Sequence, residues 1–287
     1  MIERSSPGSS RTLRAVLDGL YGGLAALPGN PVLSIKSKRC GLLGDVAMTL
    51  NGIRFAEQAQ RDCRVDWDSR SLYFDGAAGP NPWEYFFRKS RFFFSKSTKR
   101  SAFSIPYYPS AFGFMPYDGM THRQSLAHAI ARYCQPRTEL NDVVEQYIRD
   151  KFRPSTLGVH YRGTDVVTGI EQRLVASLDG LETAITQWLA QHPGGSVFLA
   201  SDDAAAVERL ERRFPEALHY RKCLRSTDGT SLHGHYDKGV PGRGYQKGVE
   251  VLIDALLLSR CSLLYHRGSR VSWFAKARNP DLPSVEM

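Results

Sequence analysis

Residues 157–165 read LGVHYRGTD, a short apolar run that ends in a polar, charged turn. The run from Leu157 to Tyr161 is typical of a buried β-strand, and the turn follows at its carboxyl end. Open α/β sheets bind their ligands beyond the carboxyl ends of the strands. The stretch therefore predicts one strand of a parallel sheet and, next to it, a candidate ligand-binding turn.

The segments on either side alternate between strand and helix patterns. Further strands are predicted in the second half of the chain at 197–200, 218–220 and 262–265, with helices between them. The first half opens in the same way, with a strand at Val32 to Ile35 and a helix that begins near Asp45. Strands separated by helices predict an α/β fold with a parallel sheet.

The two halves meet near residues 150–155, which predicts a domain boundary there. We expect an N-terminal tail and helix at 1–29, one domain at 30–153 and a second at 154–287, with a cleft between the domains. Apolar residues recur at helical spacing between Leu13 and Leu24. This segment is either a first helix packed on the protein or an amphipathic anchor in peripheral contact with a membrane.

Composition narrows the class of protein. The chain has 287 residues, of which 42% are hydrophobic, so it is long and apolar enough to fold around a core. It contains no run of about 18 apolar residues, which argues against a transmembrane segment. Its five cysteines are scattered without a CxxC pair. They predict reduced thiols and a cytoplasmic location rather than disulfides or a zinc site.

The net charge of +9 indicates an anionic partner. Nucleic acid, an acidic membrane and a phosphate-bearing small molecule all fit this charge, and composition does not choose among them. The motifs have to make that choice.

The turn after residue 161 carries the strongest motif. Arg162 can present a two-pronged guanidinium to a phosphate, Gly163 permits close approach of the backbone, and Thr164 can add a hydroxyl donor. The alternative is that Arg162 simply pairs with Asp165 at the end of a loop.

Two further motifs follow strands. Ser201, Asp202 and Asp203 either cap the next helix or contact a ligand, and capping is the commoner use of these residue types. Residues 266–270, HRGSR, form a glycine-containing turn before a helix, which suits phosphate, and Arg267 and Arg270 add positive charge.

Two more features are candidates for a ligand-binding role. Asp254 lies within an apolar helix, where a carboxylate is costly unless it has a partner or faces solvent. In the first half, Gly41 and Gly44 lie in a strand-to-helix loop that either faces the cleft or is an ordinary tight connection. GxxxxGK[ST] and GxGxxG are absent, which weakens the ATP and NAD hypotheses, and the histidines show no metal-ligand spacing.

Taken in order, three of these motifs resemble a known family. His-x-Arg-x-Thr-Asp at 160–165, Ser-Asp-Asp at 201–203 and the segment 251–269 are similar to the GDP-fucose-binding half of the fucosyltransferase superfamily. This superfamily includes α-1,6-fucosyltransferases and protein O-fucosyltransferases. The resemblance implies a GT-B architecture with two Rossmann-like domains and an inverting transferase without metal or cofactor. It also implies GDP-fucose as donor and a glycan as acceptor, and a nucleic-acid partner is no longer needed to explain the charge.

The resemblance also implies roles for individual residues. Arg162 would hold the β-phosphate and stabilise the departing GDP, and Asp254 would recognise guanine. Glu171 is the candidate catalytic base, with Asp165 in reserve. The other donor-binding residues that it implies are His160, Ser201, Asp202, Asp203, Ser269 and Arg270.

The chain departs from the α-1,6 pattern at two positions. Gly163 and Val166 stand where those enzymes carry a second arginine and a lysine. Two alternatives therefore stay open: a GT-B transferase that uses another nucleotide sugar, and a degenerate protein that binds a nucleotide sugar without turnover. The long aromatic-rich segment from 76 to 117 is predicted as loops. Its aromatic residues either stack on acceptor sugars or fill the core.

Overall fold

The computed structural model describes residues 32–94, 102–104, 114, 116–164, 177–229, 232 and 242–287. The predicted helix within 1–29 lies outside these ranges. In chain order the elements are β1 (Val32–Ile35), α1 (Leu42–Gln58), β2 (Cys63–Val65), α2 (Trp83–Phe86), β3 (Arg91–Phe92), β4 (Ala102–Ser104), α3 (His122–Tyr133), α4 (Thr138–Lys151), β5 (Thr156–Tyr161), α5 (Leu178–Gln191), β6 (Ser196–Ser201), α6 (Ala204–Arg213), β7 (Leu218–Tyr220), α7 (Arg243–Leu258), β8 (Leu263–His266), α8 (Arg270–Arg278) and β9 (Ser284–Glu286).

The first sheet has four strands in the order β3-β2-β1-β4. Strand β1 pairs in parallel with β2 and β4, and only the short β3 runs antiparallel. The buried side chains of β1, Leu33 and Ile35, alternate with half-exposed neighbours, as expected of a strand with one face on the core.

The second sheet has five strands in the order β7-β6-β5-β8-β9, and all its pairs are parallel. Strand β5 occupies the centre, and all six of its residues are buried. A parallel sheet is covered by helices on both faces, which explains the continuous burial of this strand. Because the strands run in the same direction, their carboxyl ends meet at one edge of the sheet.

Helix α7 joins the two sheets. Its side chains Leu252, Ile253 and Leu257 are almost fully buried in a core that also contains residues of the first sheet, such as Leu33. At Gly248 an added Cβ would lie 2.2 Å from Cζ of Phe86 in α2, so only glycine permits this close approach of the two helices.

The structure confirms most of the predicted elements and corrects the others. Short elements α2, β3 and β4 lie in the segment predicted as loops, and strand β9 was not predicted. Helix α1 begins at Leu42, earlier than expected. Helix α6 begins at Ala204, directly after the Ser-Asp-Asp motif, and α5 is capped by Ser177. The domain boundary near 150–155 stays a prediction.

Candidate functional site

The carboxyl edge of the second sheet collects most of the candidate residues. Strand β5 ends at Tyr161 with Arg162 next, β6 ends at Ser201, and β8 ends at His266. His160 and His266 are direct partners in the register of β5 and β8. The pairing therefore brings the predicted arginine turn beside the predicted phosphate turn.

Asp202 holds the arginine turn in place. Its Oδ1 accepts a hydrogen bond from the Gly163 N–H at 3.0 Å, and its Oδ2 accepts one from the Thr164 hydroxyl at 2.8 Å. Both carboxylate oxygens are thus engaged by the segment that follows Arg162. Asp202 contacts this turn rather than capping the helix.

Asp203 is the helix cap. Its Oδ1 accepts hydrogen bonds from the N–H groups of Ala205 and Ala206, at 2.9 and 3.2 Å. The hydroxyl of Ser201 accepts a hydrogen bond from the Asp203 N–H at 3.2 Å, which helps to hold the capping residue in position. For Asp203 the capping alternative considered from the sequence is the one observed.

The presence of glycine at position 163 has a steric cause. A Cβ added there would lie 2.2 Å from Oδ2 and 2.7 Å from Cβ of Asp203. Real Cβ atoms do not approach others so closely, so a longer side chain at 163 would have to displace the cap of α6. The glycine that departs from the α-1,6 pattern is required by the local packing of this chain.

His160 is buried and linked to the second turn. It is 7% exposed, and its Nδ1 lies 3.2 Å from the hydroxyl oxygen of Ser269. Burial, together with the positive charge of Arg162 and the neighbouring His266, lowers the pKa of His160 to about 3. The imidazole is therefore neutral at physiological pH.

The turn after β8 is the N-terminus of α8. Ser269 caps this helix in a reciprocal capping box with Ser272. Arg270, in the first helical position, lies over the ring of Trp273, with its guanidinium carbon 6.0 Å from the ring centroid. A Cβ added at Gly44 would be 4.0 Å from Cγ of Arg270.

The Gly41–Gly44 turn of the first half therefore lies against the phosphate turn predicted in the second half. Gly41 is the N-cap residue of α1 at a φ of 77°, a conformation that favours glycine, and it offers no side chain as a cap. The structure thus places the glycine-containing turn of the first half next to the turn at 266–270, while the choice between a cleft-facing loop and an ordinary tight connection for Gly41 and Gly44 stays open.

Asp254 has a partner that the sequence analysis missed. Its Oδ1 accepts a hydrogen bond from Nη1 of Arg221 at 3.1 Å, and the same nitrogen donates to the Glu250 carbonyl at 3.1 Å. The side chains of Arg221 and Asp254 are only 13% and 17% exposed. Burial raises the pKa of Asp254, while Arg221 acts in the opposite direction. Arg221 directly follows β7. This position at the carboxyl edge of the sheet was the signal in the sequence that could have identified Arg221 as a site residue.

Two candidates for the catalytic base, Asp165 and Glu171, lie outside the described residues. Arg162 is half-buried, and its charge reaches His160, whose pKa it lowers. The pairing of Arg162 with Asp165, the alternative weighed from the sequence, stays a hypothesis.

Three aromatic residues considered for acceptor binding belong to the core. Trp83 and Phe86 are 0% exposed and Tyr85 is 5% exposed, so they fill the interior and are not available for stacking on a sugar. Tyr107 and Tyr108 lie outside the described residues. Within the described part of the chain there is no cluster of three or more histidine, cysteine or acidic side chains arranged to hold a metal ion. Among the same residues no helix has the length and hydropathy of a membrane span.

No protein-family model matches the chain, and no curated protein sequence matches it. Its fold is nevertheless shared with solved structures. Together, the two sheets with their helices define an α/β fold of the GT-B class, as predicted.

The similar structures are fucosyltransferases, which confirms the predicted resemblance at the level of the fold. NodZ α-1,6-fucosyltransferase soaked with GDP-fucose aligns with a TM-score of 0.57 and 17% identity, over 89% of this chain and 94% of that one. Fucosyltransferase NodZ from Bradyrhizobium gives 0.56 and 17%, over 87% and 93% of the two chains. POFUT1 in its apo form gives 0.52 and 12%, over 91% and 99%.

Proposed function

We propose that the protein is an inverting, metal-independent glycosyltransferase that moves fucose from GDP-fucose to a hydroxyl group of a glycan acceptor. The observation that carries the proposal is the meeting of Arg162, His160 and Ser269 at one sheet edge. The edge belongs to a fold that this chain shares with a fucosyltransferase solved with GDP-fucose.

The donor's pyrophosphate would bind between the two turns at this edge. Arg162 would stabilise the negative charge that develops on the departing GDP. The N-terminus of α8, capped by Ser269 and followed by Arg270, offers backbone N–H groups and the positive end of a helix dipole. Neutral His160 orients the Ser269 hydroxyl without adding charge.

The base would bind near Asp254. Guanine presents two adjacent N–H donors on its Watson–Crick edge, which a carboxylate accepts. The Oδ1 of Asp254 bonds to Arg221, whereas the hydrogen bond found at its second oxygen, Oδ2, comes from the thiol of Cys223 at 4.0 Å. Asp202 would support the site by fixing the arginine turn, and Asp203 would support it by capping α6 next to Gly163.

Inversion at the anomeric carbon requires a base that takes the proton of the acceptor hydroxyl. We assign this role to Glu171, with Asp165 as the second choice, because both follow the arginine turn in sequence. The glycosidic bond to the β-phosphate oxygen breaks as the acceptor oxygen attacks from the opposite face. The electron pair of the broken bond leaves with GDP.

A donor screen monitored by release of the nucleoside diphosphate tests the proposal. Wild-type protein is incubated with GDP-fucose, GDP-mannose or a UDP-sugar and a panel of oligosaccharides, with and without EDTA. We expect turnover of GDP-fucose that EDTA does not reduce. R162A should lower the rate by about 100-fold or more, the usual effect of removing a group that stabilises developing negative charge.

The exposed Arg212 provides a matched control, since R212A removes the same charge from the far end of α6 and should leave the rate unchanged. Unchanged turnover in R162A would contradict the proposal. Turnover of a different donor would favour another nucleotide sugar, and tight GDP binding without turnover would favour a degenerate binding protein.

A further inference from the structure

Arg267 is a buried cation without a partner among the described residues. Its side chain is 8% exposed, and its Nη1 is fully shielded from solvent without a hydrogen-bond acceptor. Within the described part of the chain, its guanidinium forms no hydrogen bond or ion pair with any side chain or carbonyl. The cost of burying such a charge is high unless something compensates for it.

Arg54 is an equally buried arginine that serves for comparison, because its contacts are structural. It is 7% exposed, so its burial matches that of Arg267. Its guanidinium pairs with Glu57 at 3.1 Å, donates to the Pro116 carbonyl at 3.2 Å, and lies 3.9 Å from the ring centroid of Tyr117. The contrast indicates that the partner of Arg267 is a ligand rather than one of the described protein groups.

The position of Arg267 indicates which kind of ligand this is. It follows His266, the register partner of His160, and so lies one residue beyond the end of β8 at the ligand-binding edge. Burial raises the pKa of the Tyr161 hydroxyl, and the charge of Arg267 opposes that shift, so the guanidinium is close to the end of β5.

The backbone next to Arg267 adds further donors. Ser269, two residues on, is the N-cap of the nine-residue helix α8. The N–H groups of Arg270 and Val271 in its first turn form no hydrogen bond within the described residues. A guanidinium and the N-terminus of a helix together form a strong anion site, because both present N–H donors and positive potential.

We infer that Arg267 binds a phosphate oxygen of the donor's pyrophosphate and supplies a second guanidinium to the site from the strand next to Arg162. The inference deepens the proposed function and rests on it only for the identity of the donor. The steric block at Gly163 means that this charge cannot come from position 163 without moving the cap of α6. The neighbouring strand end provides it instead.

The test compares R267M, R267K and R54M with the wild type, using inorganic pyrophosphate and GDP as probes in calorimetric titrations and thermal denaturation. Met keeps an unbranched apolar stem like that of Arg but carries no charge. In R267M we expect binding of both probes to weaken at least tenfold, while the Tm without ligand stays the same or rises because an unpaired buried charge has been removed. R267K should retain part of the affinity.

R54M is the matched control, since it removes an equally buried but paired arginine. It should lower the Tm and leave the affinity for pyrophosphate unchanged. Equal binding of pyrophosphate by R267M and wild type would overturn the inference, as would a fall in Tm as large as that of R54M.

The outcome is separable from that of the proposed function. Pyrophosphate binding that depends on Arg267 in a protein that turns over no nucleotide sugar would leave the inference standing and remove the proposed function. Turnover of GDP-fucose by R267M with wild-type affinity for GDP would do the reverse.

Discussion

At the scale of single residues, the site combines neutral histidines with charged arginines. His160 and His266 are register partners at the ends of β5 and β8, and burial lowers the pKa of both. Nε2 of His266 lies 3.1 Å from the ammonium group of Lys276, a contact that requires this ring nitrogen to be an unprotonated acceptor. The positive charge for an anionic ligand therefore comes from arginine side chains rather than from these histidines.

The buried neutral state of His160 makes the stability of the protein depend on pH. Its pKa is about 3 in the folded protein and 6.5 in the unfolded chain, so between these values only the unfolded chain binds a proton. The free energy of unfolding therefore falls as the pH drops below 6.5 and continues to fall until about 3. Between pH 7 and 5 we expect a loss of about 1 to 2 kcal/mol from this residue.

Urea denaturation at pH 7, 6 and 5 checks this expectation. H160N should flatten the dependence, and H122N, at an exposed position, should not change it. His219, whose pKa burial lowers to about 4, contributes with the same sign and is present in all three proteins. Parallel curves for H160N and wild type would refute the assignment.

At the scale of elements, the sequence predicted the helices and strands whose formation depends on their own residues. The strand predicted at 218–220 matches β7 residue for residue. Strand β9 was missed because its three residues are exposed, and only pairing with β8 makes them a strand.

In the candidate site, too, some features could be predicted from the sequence and others could not. The sequence predicted which strand ends meet, because the alternation of strands and helices implies a parallel sheet. The sequence did not show which of Asp202 and Asp203 caps helix α6, since either carboxylate could accept hydrogen bonds from the first turn of the helix. The pairing of Arg221 with Asp254 joins residues 33 apart in sequence, and the position of Arg221 directly after β7 was the signal that the sequence analysis did not use.

Helix α6 offers a test at this scale. Because Asp203 accepts two N–H groups of its first turn, D203A should lower the free energy of unfolding by about 1 kcal/mol. D203N removes the charge but keeps an oxygen that can cap the helix, so it should cost much less. Urea denaturation measures both. Equal losses in the two variants would mean that the charge of Asp203, and not its cap, stabilises the helix.

At the scale of the whole molecule, helix α7 makes the two sheets parts of one core. Residues of both sheets, such as Ile35 and Phe198, belong to the same buried cluster. The approach of α7 to α2 depends on Gly248, where a Cβ would lie 2.2 Å from Phe86. The halves predicted from sequence as two domains are therefore joined by a shared interior.

We expect the described core to unfold in a single cooperative transition because of this shared interior. Tryptophan fluorescence reports on Trp67 and Trp83 in the first half and on Trp188 and Trp273 in the second, whereas far-UV circular dichroism reports on the whole chain. The two curves should coincide in urea. G248A should shift both midpoints together and cost about 1 to 3 kcal/mol through overpacking.

Gly76 provides the matched control, since a Cβ there would meet only ordinary contacts at 3.9 Å or more. G76A should leave the midpoint nearly unchanged. Two separate transitions, with G248A moving only one of them, would show that the halves unfold independently.

The pairing of Arg221 with Asp254 has a consequence for how a ligand enters. Arg221 and Asp254 serve as counter-ions of each other, so the carboxylate keeps a charged partner when water leaves. A base that binds Oδ2, as proposed, would meet a carboxylate whose other oxygen stays bonded to Arg221. Selectivity at this end of the site would then be set by how well the ligand fits the orientation in which Arg221 holds the carboxylate, a geometric criterion that is nearly independent of ionic strength.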